Sequence, residues 1–182
     1  MLIADAVTNP EGAVAERDPP LAHATTLAAT ATVAIATWGG AIHAADGLGA
    51  LASGSLAAVA AAGGAWTLAV PSLVVLGALT GSSLPWRRTA YATLVTVNFG
   101  GLCFAASVPV IALMEHTWST AGWDPRMLIN GMVLLGIGFS SIIVFLRTMA
   151  ALEPLRLLHL VWISLFGALF LELAVLFDLA TF

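Results

Sequence analysis

A chain of 182 residues with 60% apolar side chains, 9% charged ones and a mean hydropathy of +0.99 departs from soluble domains, of which about a quarter is charged. The net charge is −4, and all six basic residues are arginines spread along the chain; this excludes the clustered basic face that nucleic-acid binding needs. The single cysteine, Cys103, excludes an intrachain disulfide and any paired-cysteine redox or zinc site built from this chain alone.

Residues 1–20 read as a polar N-terminal tail and residues 21–182 as one transmembrane helical domain. The tail carries Asp5, Glu11, Glu16 and Asp18 against Arg17, with prolines at 10, 19 and 20. A secretory signal instead opens on a basic segment followed by an apolar one, so the tail is expected to stay on the protein, either disordered or as a docking segment.

Beyond it the charged residues are separated by long neutral runs: 27 residues between Asp18 and Asp46, 40 between Asp46 and Arg87, 26 between Arg88 and Glu115, 20 between Arg126 and Arg147, and 15 between Arg156 and Glu172. A span needs about 20 predominantly apolar residues. Four runs meet that length, and the last meets it if the helix continues past Glu172 to about Leu179. The expected fold is therefore all-α, a polytopic integral membrane helical bundle of about five transmembrane helices in the lipid bilayer.

The first span reads Leu21 to Ala44, opened by Pro19-Pro20. Thr25, Ala29, Thr32, Ala36 and Gly40 recur at intervals of three and four, a ridge along which another backbone can approach closely. Leu27, Ile35, Trp38 and Ile42 are left to face lipid or fill gaps. Residues 47–64 are mostly alanine, glycine and serine, with little transfer free energy per residue, and read as a surface or re-entrant segment. The second span then runs from Ala57 or Ala65 to Leu79 and contains Pro71, which removes a hydrogen bond to the Thr67 carbonyl.

The third span, Tyr91 to Met114, holds Asn98, Ser107 and Pro109. The fourth, Met127 to Leu146, holds Asn130 and the small pair Gly136 and Ser140. The fifth, Leu157 to about Leu179, holds Ser164, Ala168, Glu172 and Asp178. Trp118 and Trp123 in the loop between the third and fourth spans suit an interfacial aromatic belt, and Trp66 and Trp86 suit the same use elsewhere.

With five spans and the N-terminus inside, Arg17, Arg87, Arg88, Arg147 and Arg156 lie on the cytoplasmic side and Arg126 alone lies outside. Basic residues near span ends are retained inside, so the expected topology is N-in, C-out, in the inner (cytoplasmic) membrane of a bacterium. Splitting residues 47–86 into two spans gives a poorer four against two.

Glu172 is the most informative single residue, because a carboxylate in hydrocarbon costs several kcal/mol when charged and must be protonated, paired or wet. Ser164, Ala168 and Glu172 share a helical stripe, which is expected to point into the bundle. Asn98 is its companion as a candidate ion or proton site. Four histidines form two pairs, His43 with His116 on the outer side and His23 with His159 on the inner, each drawn from two helices as bis-histidine ligation of a haem or chlorophyll pigment requires. His23 and His43 are 20 residues apart, about 30 Å along a helix, which sends both to the membrane surfaces.

No hydroxyl has a neighbouring base, no His/Asp/Glu cluster has metal spacing, and no phosphate-binding loop occurs. Pro71 to Met114 resembles bacterial permease-like or complex-subunit proteins only in general pattern. The leading expectation is a non-catalytic membrane subunit, without a resident cofactor, that packs against copies of itself or other membrane subunits. The alternatives are a small ion- or proton-coupled channel or transporter using Glu172, and a haem- or pigment-binding subunit.

Overall fold

The computed structural model describes residues 2–15, 20–118, 125–154 and 157–176, and for residues 2, 114–118 and 125–130 only the backbone. Among these residues the chain is helical throughout: α1 Leu2–Thr8, α2 Pro10–Ala15, α3 Leu21–Ile42, α4 Leu48–Leu79, α5 Trp86–Trp118, α6 Pro125–Leu152 and α7 Leu157–Leu176, with one 3-10 turn at Ala44–Asp46. Five of them, α3 to α7, are long and apolar enough to cross a membrane. The chain is a multi-spanning helical membrane protein.

The re-entrant segment expected at residues 47–64 does not form. Leu48–Leu79 is one continuous α-helix of 32 residues, about 48 Å long against a hydrocarbon thickness of about 30 Å. The physical reason lies in its small residues, which contribute little by transfer into lipid and much by allowing contact. A Cβ on Gly39 of α3 would run into Ala58 and the Gly54 carbonyl of α4, and one on Gly54 would strike the Gly39 carbonyl and the ring of His43. Gly40 likewise lies against Ser55 and Leu51. The two backbones touch, as at other small-residue crossings in membranes.

The turn before α4 depends on Gly47, whose φ of 103° belongs to the left-handed region that a side chain disfavours. At the far end, α4 closes in a Schellman arrangement: Gly81 has φ 81°, its N–H bonds to the Ala78 carbonyl (3.2 Å), and the Ser82 N–H bonds to the Gly77 carbonyl (2.8 Å). This satisfies carbonyls that the helix end leaves open, and it holds Ser82 at the bundle rim.

α3 sits between α4 and α5, α6 packs on the far side of α5, and α7 on the far side of α4. α6 and α7 meet near their connection, where Phe145 stacks on Trp162 with ring centroids 4.6 Å apart. Two apolar clusters fill the interior. One, toward the end that carries Arg87, Arg88 and Arg147, gathers Leu27, Leu73, Tyr91, Phe145, Met149 and Trp162; the other gathers Ile35, Trp38, Ile42, Phe104, Ile111 and Ile137.

On α3 the bulky residues take the gap-filling role of the two expected for them, while on α7 the expected inward stripe is reversed. On α3 the bulky set Leu27, Ile35, Trp38 and Ile42 is the buried face, whereas Thr25, Ala29 and Thr32 of the small ridge are exposed and only Gly40 is buried. Bulky side chains fill the space between helices here because Gly39, Gly40 and Gly101 bring the backbones close: a Cβ on Gly101 of α5 would lie 3.2 Å from the Ala31 carbonyl. On α7, Ser164, Ala168 and Glu172 all face outward, since Trp162, Ile163 and Ala174 occupy the inward face. Trp66, expected at an interface, is interior and donates to Thr93 Oγ1 at 3.1 Å. Trp123 lies outside the described residues, as do Asp178, Arg17 and Arg156.

The tail is two short helices docked on the chain itself. Ala6, Pro10 and Val14 are buried, α2 packs on α6 and α5, and Glu11 pairs with Arg147 at 2.5 Å. Both partners are substantially exposed, so the pair contributes at most about 1 kcal/mol; the apolar contacts set the docking. The backbone contact of α3 with α4 is checked by comparing two alanine substitutions. Both gain about 1 kcal/mol of helix propensity over glycine, so Gly136→Ala, in open space, is expected to leave thermal stability in detergent unchanged or slightly raised. Gly54→Ala is expected to lower it by about 1–3 kcal/mol through overpacking; equal behaviour of the two would refute the contact.

Candidate functional site

Three sets of polar side chains bear on function. The first is at the arginine-bearing end, where the α4–α5 connection meets the α6–α7 connection. The Schellman turn presents Ser82, whose hydroxyl donates to Glu153 Oε2 at 2.8 Å and accepts from the Leu84 N–H at 3.3 Å. The other carboxylate oxygen of Glu153 lies 3.2 Å from His159 Nε2, which places the ring proton on that nitrogen. His159 is 1% exposed, with its ring 6.4 Å from that of Phe145.

Serine, glutamate and histidine together suggest nucleophilic hydrolysis, but the order is wrong for it. A serine nucleophile needs the imidazole to take its proton and the carboxylate behind the imidazole. Here the carboxylate stands between the two and holds both. The arrangement is a tie between two connections, bridging positions 71 residues apart. A single acidic residue before Pro154 in a short inter-span turn reads from sequence as a solvated loop charge, and nothing in the sequence pairs it with Ser82.

The second place is the middle of the bundle. Asn98 on α5 is fully buried and its side-chain oxygen accepts from Thr30 Oγ1 on α3 at 2.5 Å. A helix-to-helix hydrogen bond thus joins it to Thr30. Among the described residues its Nδ2 has no hydrogen-bond partner, and the buried indole N–H of Trp38 has none either. Asn130 lies where only the backbone is described.

The third is Glu172. It is exposed on α7, four residues before the end of the described helix, and makes no hydrogen bond or ion pair with the described residues. Glu172 and Asn98 therefore occupy different surroundings, one on the outer surface and one sealed between α3 and α5. The structure does not bring the two candidate ion-site residues together.

The histidines stay at the ends of their helices. His23 opens α3 and His159 opens α7 at the arginine-bearing end, while His43 ends α3 at the other, its ring lying over Gly54. His159 Nε2 is already engaged by Glu153, and His116 lies where only the backbone is described. Among the described residues no three of His, Cys, Asp and Glu gather as a metal-binding group. Cys103 is a half-buried side chain packed beside the second apolar cluster.

Compared with protein-family models, with curated proteins and with solved structures, the chain has no match. The tie at the arginine-bearing end makes a direct prediction. Glu153→Ala leaves Ser82 and the buried His159 without their shared acceptor, and is expected to cost about 1–3 kcal/mol of unfolding free energy. Glu153→Gln, which keeps an acceptor oxygen, is expected to retain most of the stability. Denaturant unfolding in mild detergent separates the two, and indifference to both would show that the tie contributes nothing.

Proposed function

We propose that this protein is a non-catalytic subunit of a membrane assembly, joined to copies of itself or to other membrane proteins through the outward faces of α3 and α7. The carrying observation is Glu172, an outward carboxyl in an apolar span with no partner among the described residues. In contact with acyl chains such a group is expensive; against a neighbouring helix it gains a hydrogen-bond donor.

The surfaces around it suit close association. Ser164, Gly167 and Ala168 precede Glu172 on exposed α7 positions, and α3 exposes Thr25, Thr26, Ala29 and Thr32. The outward hydroxyls are already bonded to their own helices, Thr25 and Thr26 to the Ala22 carbonyl, Thr32 to that of Ala28 and Ser164 to that of Leu160. These faces are therefore smooth and compatible with lipid in the monomer, yet small enough for another backbone to approach. By the arginine rule the N-terminus lies in the cytoplasm and the membrane is the bacterial inner membrane.

An ion- or proton-coupled channel built on Glu172 is the second reading, and the outward position of this carboxyl shapes it: the path would run between copies rather than through one bundle. Both readings make Glu172 an interface residue. Crosslinking and native mass spectrometry after mild extraction are expected to give a defined higher-order species. Glu172→Leu and Ala29→Leu are expected to weaken it at least tenfold in dissociation constant while leaving monomer unfolding unchanged, because both sites are exposed. A strictly monomeric, partner-free wild type would refute the proposal, and proton flux in reconstituted vesicles that is lost in Glu172→Gln would favour the second reading.

A further inference from the structure

Asn98 has a larger hydrogen-bonding demand than its own chain meets. Thr30 lies nine residues past Leu21 and Asn98 twelve past Trp86, ~14 and ~18 Å along their helices, so the pair stands near the midplane of a hydrocarbon layer about 30 Å thick. The Thr30 hydroxyl has one proton and three acceptors within reach: the Thr26 carbonyl at 2.9 Å, the Leu27 carbonyl at 3.0 Å and Asn98 Oδ1 at 2.5 Å. With Oδ1 toward Thr30, both N–H bonds of the Asn98 amide are buried and have no partner among the described residues. Turning the amide over lets its nitrogen donate to Thr30 Oγ1 while the hydroxyl keeps the Thr26 carbonyl. The carboxamide oxygen is then the end without a partner.

Either orientation leaves one polar end of a fully buried amide without a partner among the described residues, a state that proteins resolve with a partner. Slippage between α3 and α5 cannot supply one, because Gly101, one turn beyond Asn98, brings α5 against the Ala31 carbonyl and Ile35. We propose that the free end of the Asn98 carboxamide binds a single ordered water molecule in the centre of the bundle. Water accepts from the N–H group and donates to the carbonyl, so it suits both orientations; an anion suits only the nitrogen and a cation only the oxygen.

The test uses the full chain in perdeuterated detergent with 15N-labelled asparagine, which places label on three residues, Asn9, Asn98 and Asn130. Asn98→Leu removes one side-chain amide pair and so assigns it; Asn98→Ser serves the same purpose if the leucine variant does not fold. Rotating-frame spectra distinguish dipolar contact with water from proton exchange by sign. The Asn98 amide is expected to show a cross-peak to water of dipolar sign, while that of exposed Asn9 provides the exchange reference. Cross-peaks from the Asn98 amide to aliphatic protons alone, or to water with only the exchange sign, would overturn the proposal.

Discussion

In hydrocarbon a helix gains nothing by hiding apolar side chains, because acyl chains receive them as well as another helix does. What holds this bundle together is therefore close backbone approach and hydrogen bonds shared between helices. The contact of Gly39 with Gly54 is where that constraint is met most fully. It makes α3 and α4 a unit with almost no gap, and it lets the alanine-rich half of α4, which lipid would hold weakly, persist as helix. α5 joins the same unit through Gly101 against Ala31 and through the Thr30–Asn98 bond. α6 and α7 are added to the outside of this three-helix core.

Those outer helices need other fastenings. α7 is pinned to α4 by the indole of Trp162, which donates to the Ala69 carbonyl at 2.6 Å, and to α6 by the stacking of the same ring on Phe145. α6 lies on α5 where Gly100 admits Ser141. Glu153 then ties both connections of the arginine-bearing end to each other. The polar fastenings thus accumulate at that end, where α1 and α2 also dock, and the opposite end relies on apolar contact around Trp38 and Phe104, whose rings lie 4.4 Å apart.

How much of this could be read from the sequence follows from the same constraint. Charge-free runs mark helices apolar enough to cross, because charge is what the bilayer rejects; four spans were legible on that basis, and the fifth only by letting the helix continue past Glu172, as α7 does. Hydropathy is silent on which side of a helix meets protein, since Leu27 and Val33 are equally apolar while one is buried and the other exposed. A small-residue ridge was a poor guide for α3, where the glycines at its end form the contact and the threonines before them do not. Residues 47–64 were misread because transfer free energy was the measure applied, and packing was what mattered. Asn98 was visible as a polar residue within a span; its partner Thr30 was one threonine among many, and no sequence pattern pairs Ser82 with Glu153.

The polar groups of the spans divide by what surrounds them, and the division bears on function. Thr30, Thr93, Asn98 and Trp66 are turned inward and bond to one another or to their own helices, so they lend the bundle specificity of register. Glu172 is turned outward, away from all of them. An ion path confined to one copy would need its carboxyl and its polar interior on the same side, and the inward positions of α7 are taken by Trp162, Ile163 and Ala174. In the assembly proposed above the burden of satisfying Glu172 falls on what would pack against α7 from outside, and for that reason an assembly accounts for this residue more economically than a pore through a single bundle.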